Sequence, residues 1–350
     1  MEDVGPLDPM AYAPPRPGTG RDATPLLRGG IAAIKVEDRE ELPMTASTTW
    51  SPAERRAIAR LLERNALALQ MLRQTRGLPD SRFGFRYAST EPMEFSADRS
   101  YSHAVRLLAL DAKVAVREGA FDRAIEDVQT LARVGRAYLQ EPVDLFVHLG
   151  AVTEQLQLDV IGSFVEHPGI KAPHLSSCQA SLQDVNLGAS WHRARVREMV
   201  VFQRQFHRDL KAETGIMALP VWLQGPSMEA DVLAGARSVL SLHSDPEARS
   251  PTGRPAAFAL VASLGGQETA DRIKATYALR SLTSAALDLR QRALVDGVYP
   301  EARIKREVVR YTRAPDGSAT LELVGDRKAW PGALKAVALR RSLPSPAARR

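Results

Sequence analysis

Apolar residues recur every three or four positions through most of the chain, which is the spacing of one face of an α-helix. The clearest pattern begins at Ser51-Pro52-Ala53-Glu54, where a hydroxyl, a proline and a glutamate stand in the order of a capping box. The apolar positions that follow at helical spacing are Ile58, Leu61, Leu62, Leu69 and Leu72. The pattern predicts one long helix that ends at Gly77 and Pro79.

The same periodicity predicts further helices along the chain. They cover about residues 96–118, 121–140, 143–166, 173–185, 189–213, 228–242 and 267–295. Most are roughly 20 residues long and are joined by short connections, which is typical of stacked antiparallel helical hairpins. We therefore expect a mainly α-helical domain over residues 49–296.

The two ends of the chain depart from this pattern. Residues 1–48 are rich in proline and predict an extended, partly disordered arm, in which only residues 24–34 have the apolar content to dock. Residues 297–333 predict a small β element packed on the last helix, because strand-like segments at 307–312 and 320–324 flank a turn sequence. Residues 334–350 are basic and predict a flexible tail.

One helical hairpin carries a local resemblance. The sequence Gly119-Ala120-Phe121-Asp122-Arg123-Ala124, with Ala112 seven residues upstream, resembles the centre of a tetratricopeptide repeat. The match departs at Ala115, where a tyrosine is usual, and no second copy follows at about 34-residue spacing. The resemblance implies tetratricopeptide-like packing of one hairpin, and an ordinary helical hairpin is the alternative.

A longer series of segments carries a second resemblance. The segments, in order, are Asp22-Ala23-Thr24-Pro25-Leu26-Leu27-Arg28, Pro79-Asp80-Ser81-Arg82-Phe83, Leu107-Leu108-Ala109-Leu110-Asp111-Ala112, Arg117-Glu118-Gly119, Gln140-Glu141-Pro142 and Gly297-Val298-Tyr299-Pro300. Their order resembles that of uncharacterised helical proteins from GC-rich bacteria, which usually carry an N-terminal membrane anchor. The resemblance implies a helical fold. It transfers no catalytic residue, because none is established for that family.

Composition limits the classes of protein that remain. The chain has 350 residues, of which 44% are hydrophobic and 25% are charged, as in ordinary globular proteins. Its one cysteine, Cys178, excludes an intramolecular disulfide and a cysteine zinc cluster. No signal-peptide pattern or apolar stretch of 18 residues is visible. We expect a cytoplasmic protein from the sequence as written, or an extracytoplasmic, membrane-anchored one if its N-terminus is incomplete.

The positive charge is concentrated in two places. The net charge is +6, but five positive residues and no acids lie between 335 and 350, so the rest of the chain is close to neutral. We therefore do not expect the helical body to bind nucleic acid. The second place is one face of the predicted helix 189–213, formed by Arg193, Arg197, Arg204, Arg208 and Lys211. This face is a candidate site for an acidic partner or another anion, and a solvated helix face is the alternative.

Catalytic and metal motifs give weaker candidates. The sequence has no Gly-x-Ser-x-Gly elbow and no glycine-rich phosphate loop. His174 and Cys178 are four residues apart but have no third ligand nearby, so we expect neither a metal nor a cofactor. The acids Asp111, Glu154 and Asp159 fall within predicted helices and are candidates to turn inward as an acid/base pair.

These features favour a non-catalytic helical scaffold or partner-binding protein. Its partner would be another protein or a second copy of the chain, bound between hairpins or on the basic face. One alternative is an enzyme with an acid/base site between helices. A second alternative is a protein that binds anionic surfaces or nucleic acid through residues 189–213 and the tail.

Overall fold

The computed structural model describes residues 13–36, 50–83, 98–182, 186–212, 266–300, 309–324 and 340–346. This part of the chain is mainly helical and has a three-stranded antiparallel sheet near the C-terminus, which confirms the predicted fold class. The helices are α1 (Thr24–Ala32), α2 (Pro52–Arg64), α3 (Ala66–Gln74), α4 (Asp98–Glu118), α5 (Phe121–Gln140), α6 (Asp144–Glu166), α7 (Ala172–Ser181), α8 (Leu187–Ala212) and α9 (Gly266–Asp296). The strands are β1 (Val309–Arg313), β2 (Ala319–Leu323) and β3 (Arg340–Leu343).

The long helix predicted after Ser51 begins as expected but is divided. Ser51 and Glu54 form the reciprocal capping box, with the Ser51 amide 2.6 Å from Glu54 Oε2 and the Glu54 amide 3.2 Å from Ser51 Oγ. At Asn65 the helix breaks into α2 and α3. The buried Asn65 side chain donates to the Leu61 carbonyl at 2.9 Å and accepts from the Lys35 amide at 2.7 Å. The prediction of one helix was wrong because an asparagine side chain offers the backbone these alternative hydrogen bonds.

Part of the predicted N-terminal arm is docked on the helical domain. Helix α1 packs mainly on α3, and Leu27 is fully buried. Gly30 permits the close approach, since a Cβ at this position would lie 2.9 Å from the Leu72 side chain. The prediction of an extended arm is therefore wrong for residues 24–32, which form a helix. The apolar content of residues 24–34 indicated that this segment could dock, and α1 does pack on α3.

Three consecutive helices form the centre of the domain. Residues 119–120 connect α4 to α5, and residues 141–143 connect α5 to α6. Gly119 has a φ of 73°, so it provides a left-handed turn between α4 and α5. Helix α9 packs along α6, and α7 packs on α5 and α9. The aromatic side chains at the core of this assembly are Phe83, Tyr101, Tyr138 and Phe146.

The C-terminal sheet has one strand more than the sequence predicts. The expected hairpin pairs β1 with β2, and Val309 lies opposite Leu323. Strand β3 then pairs with β2, and Leu343 lies opposite Ala319. The predicted flexible tail is therefore wrong for residues 340–343, whose alternate residues Arg341 and Leu343 are buried. The predicted helix 228–242 and residues 334–339 lie outside the described residues.

Candidate functional site

Helix α8 contains all five residues of the predicted basic face, but one side of its first turns is buried, and Arg193 is exposed while Arg197 is not. The Arg193 guanidinium donates to the Leu139 carbonyl at 3.0 Å. Arg197 is only 4% exposed, so it does not belong to an open basic surface. The structure describes the helical backbone at Arg204, Arg208 and Lys211, and their side chains lie outside the description. The predicted face is therefore wrong at Arg197, because α8 packs into the domain there.

A half-buried carboxylate, Asp144, joins this part of α8 to the domain. Asp144, in the first turn of α6, accepts a hydrogen bond from Trp191 Nε1 at 3.1 Å and lies 3.5 Å from Arg195 Nη2. Glu198 accepts from the Asp144 amide at 3.1 Å. Burial raises the pKa of both Asp144 and Glu198. These charged groups join α8 to α6 and are structural contacts.

The three acids considered for an acid/base pair are separately ion-paired. Asp111 contacts Arg73 and lies 3.7 Å from Arg123 Nη2. Glu154 lies 2.9 Å from Arg280 Nε beside a small cavity of about 20 Å³, and burial raises its pKa to about 7. Asp111 and Glu154 therefore interact with different helices and do not form an acid/base pair.

The candidate metal ligands also have separate environments. Cys178 is buried, and burial raises its pKa to about 12. His174 Nδ1 accepts from the Lys171 amide at 3.4 Å, and its ring lies 4.9 Å from that of Phe121. Within the described ranges, no group of three or more His, Cys, Asp or Glu side chains is placed to hold a metal ion. No described helix is both long enough and apolar enough to span a membrane.

A cleft of about 220 Å³ between α4 and α6 brings several ionisable groups together. Both helices contribute residues close to their C-terminal ends. We call this opening the α4–α6 cleft. Its lining residues are Trp50, Lys113, Val116, Arg117, Ser163, Glu166, His167 and Pro168.

The inner side of the α4–α6 cleft is an ion-pair network. Lys113 Nζ lies 2.5 Å from Asp159 Oδ2, and Arg341 of β3 lies 3.6 Å from Asp159 Oδ1. Glu166 Oε1 lies 4.0 Å from Arg341 Nη1 and accepts from the Ser342 amide at 3.3 Å. Burial raises the pKa of Glu166, while Arg341 opposes this effect. Strand β3 therefore fixes the two carboxylates beside the cleft.

The rim of the cleft is formed by Trp50 and Arg117. The Arg117 guanidinium carbon lies 4.6 Å from the centre of the Trp50 ring, in a cation–π contact. Trp50 is 7% exposed, and its buried indole Nε1 has no hydrogen-bond partner among the described residues. This nitrogen is inaccessible to solvent, so a molecule in the cleft would contact the Trp50 ring and the Arg117 guanidinium and not the indole N–H group.

Sequence reasoning did not identify the cleft. Arg117 belongs to a segment that carries only the family resemblance, and His167 and Pro168 carry no functional signal in the sequence. Trp50 lies immediately before the capping box and 68 residues before the C-terminal end of α4. No spacing rule links these positions, because they meet only after α4 and α6 pack side by side.

The comparisons with known proteins do not assign this site. No protein-family model, curated protein or solved structure matches the chain. The resemblances to tetratricopeptide repeats and to uncharacterised bacterial helical proteins therefore stay predictions.

Proposed function

We propose that the protein is a non-catalytic helical scaffold that binds a protein partner in the α4–α6 cleft. The observation that carries this proposal is the cleft itself, a 220 Å³ opening between two helices of the central layer. Its walls are rigid elements, since α4 and α6 pack on each other and Lys113 is ion-paired with Asp159 across them. A preformed recess on a rigid scaffold lowers the entropy lost on binding.

The ion pairs at the other candidate acids support binding over acid/base catalysis. Asp111 is ion-paired with Arg73, and Glu154 lies against Arg280. Such ion pairs hold the helices together. Each of these carboxylates therefore contacts an arginine and is not placed beside another acid as an acid/base pair.

Site-specific crosslinking tests this proposal in the intact chain. A photoreactive residue at Pro168, which is exposed at the cleft, is compared with one at Val295, which is exposed on α9 and does not line the cleft. We expect a discrete crosslinked product, either with a partner or with a second copy of the chain, only from position 168. Equal products from both positions, or none from either, would contradict the proposal.

A further inference from the structure

We infer that the Trp50 side chain is a gate of the α4–α6 cleft, which is closed in this structure and opens when the side chain swings out. Opening would widen the cleft towards Val116 and Lys113 of α4, which line it but are only 2% and 5% exposed. The gate regulates access to the site of the proposed function, and it rests on that function for its purpose. The hydrogen bonding of Trp50, its contacts and the exposure of the residues that follow it support this assignment.

The closed position leaves a buried donor without an acceptor. The Trp50 indole Nε1 is inaccessible to solvent and has no hydrogen-bond partner among the described residues. Buried indole N–H groups normally have an acceptor, and a missing acceptor destabilises the conformation that buries the group. In the open position the same N–H group donates to water. The hydrogen bonding of the indole therefore favours the open position.

Two contacts favour the closed position. Trp50 is 7% exposed, so the closed position removes most of its apolar ring from water. The Arg117 guanidinium lies over the ring, and its carbon is 4.6 Å from the ring centre. Arg117 is itself exposed, so one face of the ring is covered by a side chain at the surface. These contacts and the unpaired N–H group oppose each other, which reduces the free-energy difference between the two positions.

The chain after Trp50 allows the gate to move without the rest of α2. Residues 51–57 are all exposed. Of the 13 residues of α2, only Ile58 and Leu61 are buried. The N-terminal half of α2 is therefore not packed into the core, and Trp50 is held in the cleft by its own side chain. Trp50 can leave the cleft while Ile58 and Leu61 keep α2 in place.

The helices that form the walls of the cleft do not have this freedom. Helix α4 packs on α5 and α6, and α6 packs on α9 as well. Lys113 Nζ lies 2.5 Å from Asp159 Oδ2, and this ion pair joins α4 to α6. Lys113 and Arg117 are one turn apart on α4, and both line the cleft. Release of Trp50 from Arg117 therefore uncovers the α4 side of the cleft and leaves its walls in place.

Hydrogen exchange of the indole proton tests the gate in the ¹⁵N-labelled full chain. The Trp50 indole signal is assigned by its loss in Trp50→Phe. We expect this proton to exchange with D₂O more slowly than in the unfolded chain, at a rate that low concentrations of urea do not change. The reference is the backbone amide of Leu131, which is fully buried in the middle of α5. A Trp50 exchange rate that rises with urea in parallel with that of Leu131 would overturn the inference.

The contact between Arg117 and the Trp50 ring is tested by the same exchange measurement. Arg117→Met removes the cation over the ring and is expected to raise the Trp50 exchange rate about two- to fivefold. Arg106→Met is the matched control, because Arg106 is exposed on the same helix and does not line the cleft. That variant should leave the rate unchanged. Equal effects of the two variants would contradict the assignment of Arg117 as the residue that holds the gate closed.

Thiol labelling tests whether opening widens the cleft. Val116→Cys places a thiol at a cleft position that is 2% exposed, and the natural Cys178 is buried. Val134→Cys is the matched control, since Val134 is fully buried on α5 and does not line the cleft. We expect Trp50→Ala to increase the labelling rate at position 116 by about tenfold or more, and not at position 134. Equal increases at both positions would mean that Trp50 stabilises the whole domain, and would count against a gate.

Failure of the gate and failure of the proposed function give different results. If crosslinking at position 168 gives a discrete product while the Trp50 indole exchanges only through global unfolding, the gate is wrong and the proposed function stands. If the indole exchanges by local opening while position 168 gives no product, the proposed function is wrong and the gate stands as a property of the cleft.

Discussion

The Arg341 guanidinium lies against the Cα of Gly162, in space that any larger side chain at position 162 would fill. Arg341 is 2% exposed, and its Nη2 donates to the Leu158 carbonyl at 3.4 Å. The absence of a side chain at Gly162 therefore allows an arginine from β3 to lie on α6, next to Asp159. This contact connects the C-terminal strand to the inner side of the α4–α6 cleft.

We expect Gly162→Ala to destabilise the protein, because the new methyl group would collide with the Arg341 guanidinium. Overpacking of this kind costs about 1–3 kcal/mol. Chemical denaturation would measure the loss, and limited proteolysis would show earlier cleavage near β3. The matched control is Gly77→Ala, since a Cβ at position 77 would have no neighbour within 4 Å. Equal stability of the two variants would contradict the proposed contact.

The junction of α3, α4 and α5 depends on one arginine. Arg73 Nε lies 2.7 Å from Asp127 Oδ1, and the same guanidinium contacts Asp111. Burial lowers the pKa of Arg73, but the two carboxylates outweigh this effect and raise it. Burial raises the pKa of Asp127, whose side chain is 0% exposed, to about 7, while Arg73 opposes this rise.

We expect Arg73→Met to reduce the free energy of unfolding by about 3 kcal/mol, because it leaves the buried Asp127 without its cation. Arg76→Met is the matched control, since Arg76 pairs with the more exposed Glu126 at 2.5 Å. That change is expected to cost less than about 1 kcal/mol. Adding Asp127→Asn to Arg73→Met should recover part of the loss. Denaturation of all three variants measures these differences, and an equal loss in both arginine variants would contradict the argument.

The sequence was sufficient to predict most helices, because their buried faces repeat at helical spacing and their ends carry strong signals. The capping box at Ser51 is an example that the structure confirms. It was insufficient at Asn65 and at β3. Asn65 acts through a hydrogen bond to Lys35, and β3 depends on pairing with β2, so both outcomes require contacts between distant residues.

The candidate site was less predictable than the fold for the same reason. Helical spacing placed Arg197 on a basic face, but spacing does not show which arginines become buried beside acids of another helix. The contact of Arg117 with the Trp50 ring and the ion pair of Lys113 with Asp159 become visible only when their neighbours are known. A tryptophan beside a capping box gives no such signal in the sequence.

The buried Glu154 predicts a pH dependence of stability. Burial raises its pKa in the folded protein to about 7 from an ordinary value of 4.5, while Arg280 opposes this rise. Between these pH values the folded state holds more protons at this position than the unfolded state. The contribution of Glu154 to stability is therefore greatest at low pH and decreases as the pH rises from about 4.5 to about 7.

We expect Glu154→Gln to flatten this part of the stability profile, by at most about 1.4 kcal/mol per pH unit. Denaturant unfolding at several pH values between 4.5 and 7 would measure the change in slope. The control is Glu118→Gln, which removes an exposed carboxylate at the end of α4. The expectation is contradicted if the Glu154→Gln profile remains parallel to that of the wild type.

Asp144 provides a test of how α8 is attached to α6. Its carboxylate accepts from Trp191 Nε1 at 3.1 Å and lies 3.5 Å from Arg195 Nη2. Trp191 and Arg195 are buried, so Asp144→Ala leaves the Trp191 N–H group without its acceptor and removes the ion pair with Arg195. We expect a loss of about 1–3 kcal/mol in the free energy of unfolding, together with a change in tryptophan fluorescence.

Two further variants separate this effect from the general preference for an acid at a helix start. Asp122 occupies the first turn of α5 as Asp144 does that of α6, but Asp122 is exposed. Asp122→Ala should therefore cost only the helix-dipole contribution, about 0.3–1 kcal/mol. Asp144→Asn keeps an oxygen acceptor for Trp191 and should lose less stability than Asp144→Ala. If Asp144→Ala and Asp122→Ala are equally stable, the buried contacts of Asp144 do not attach α8 to the domain.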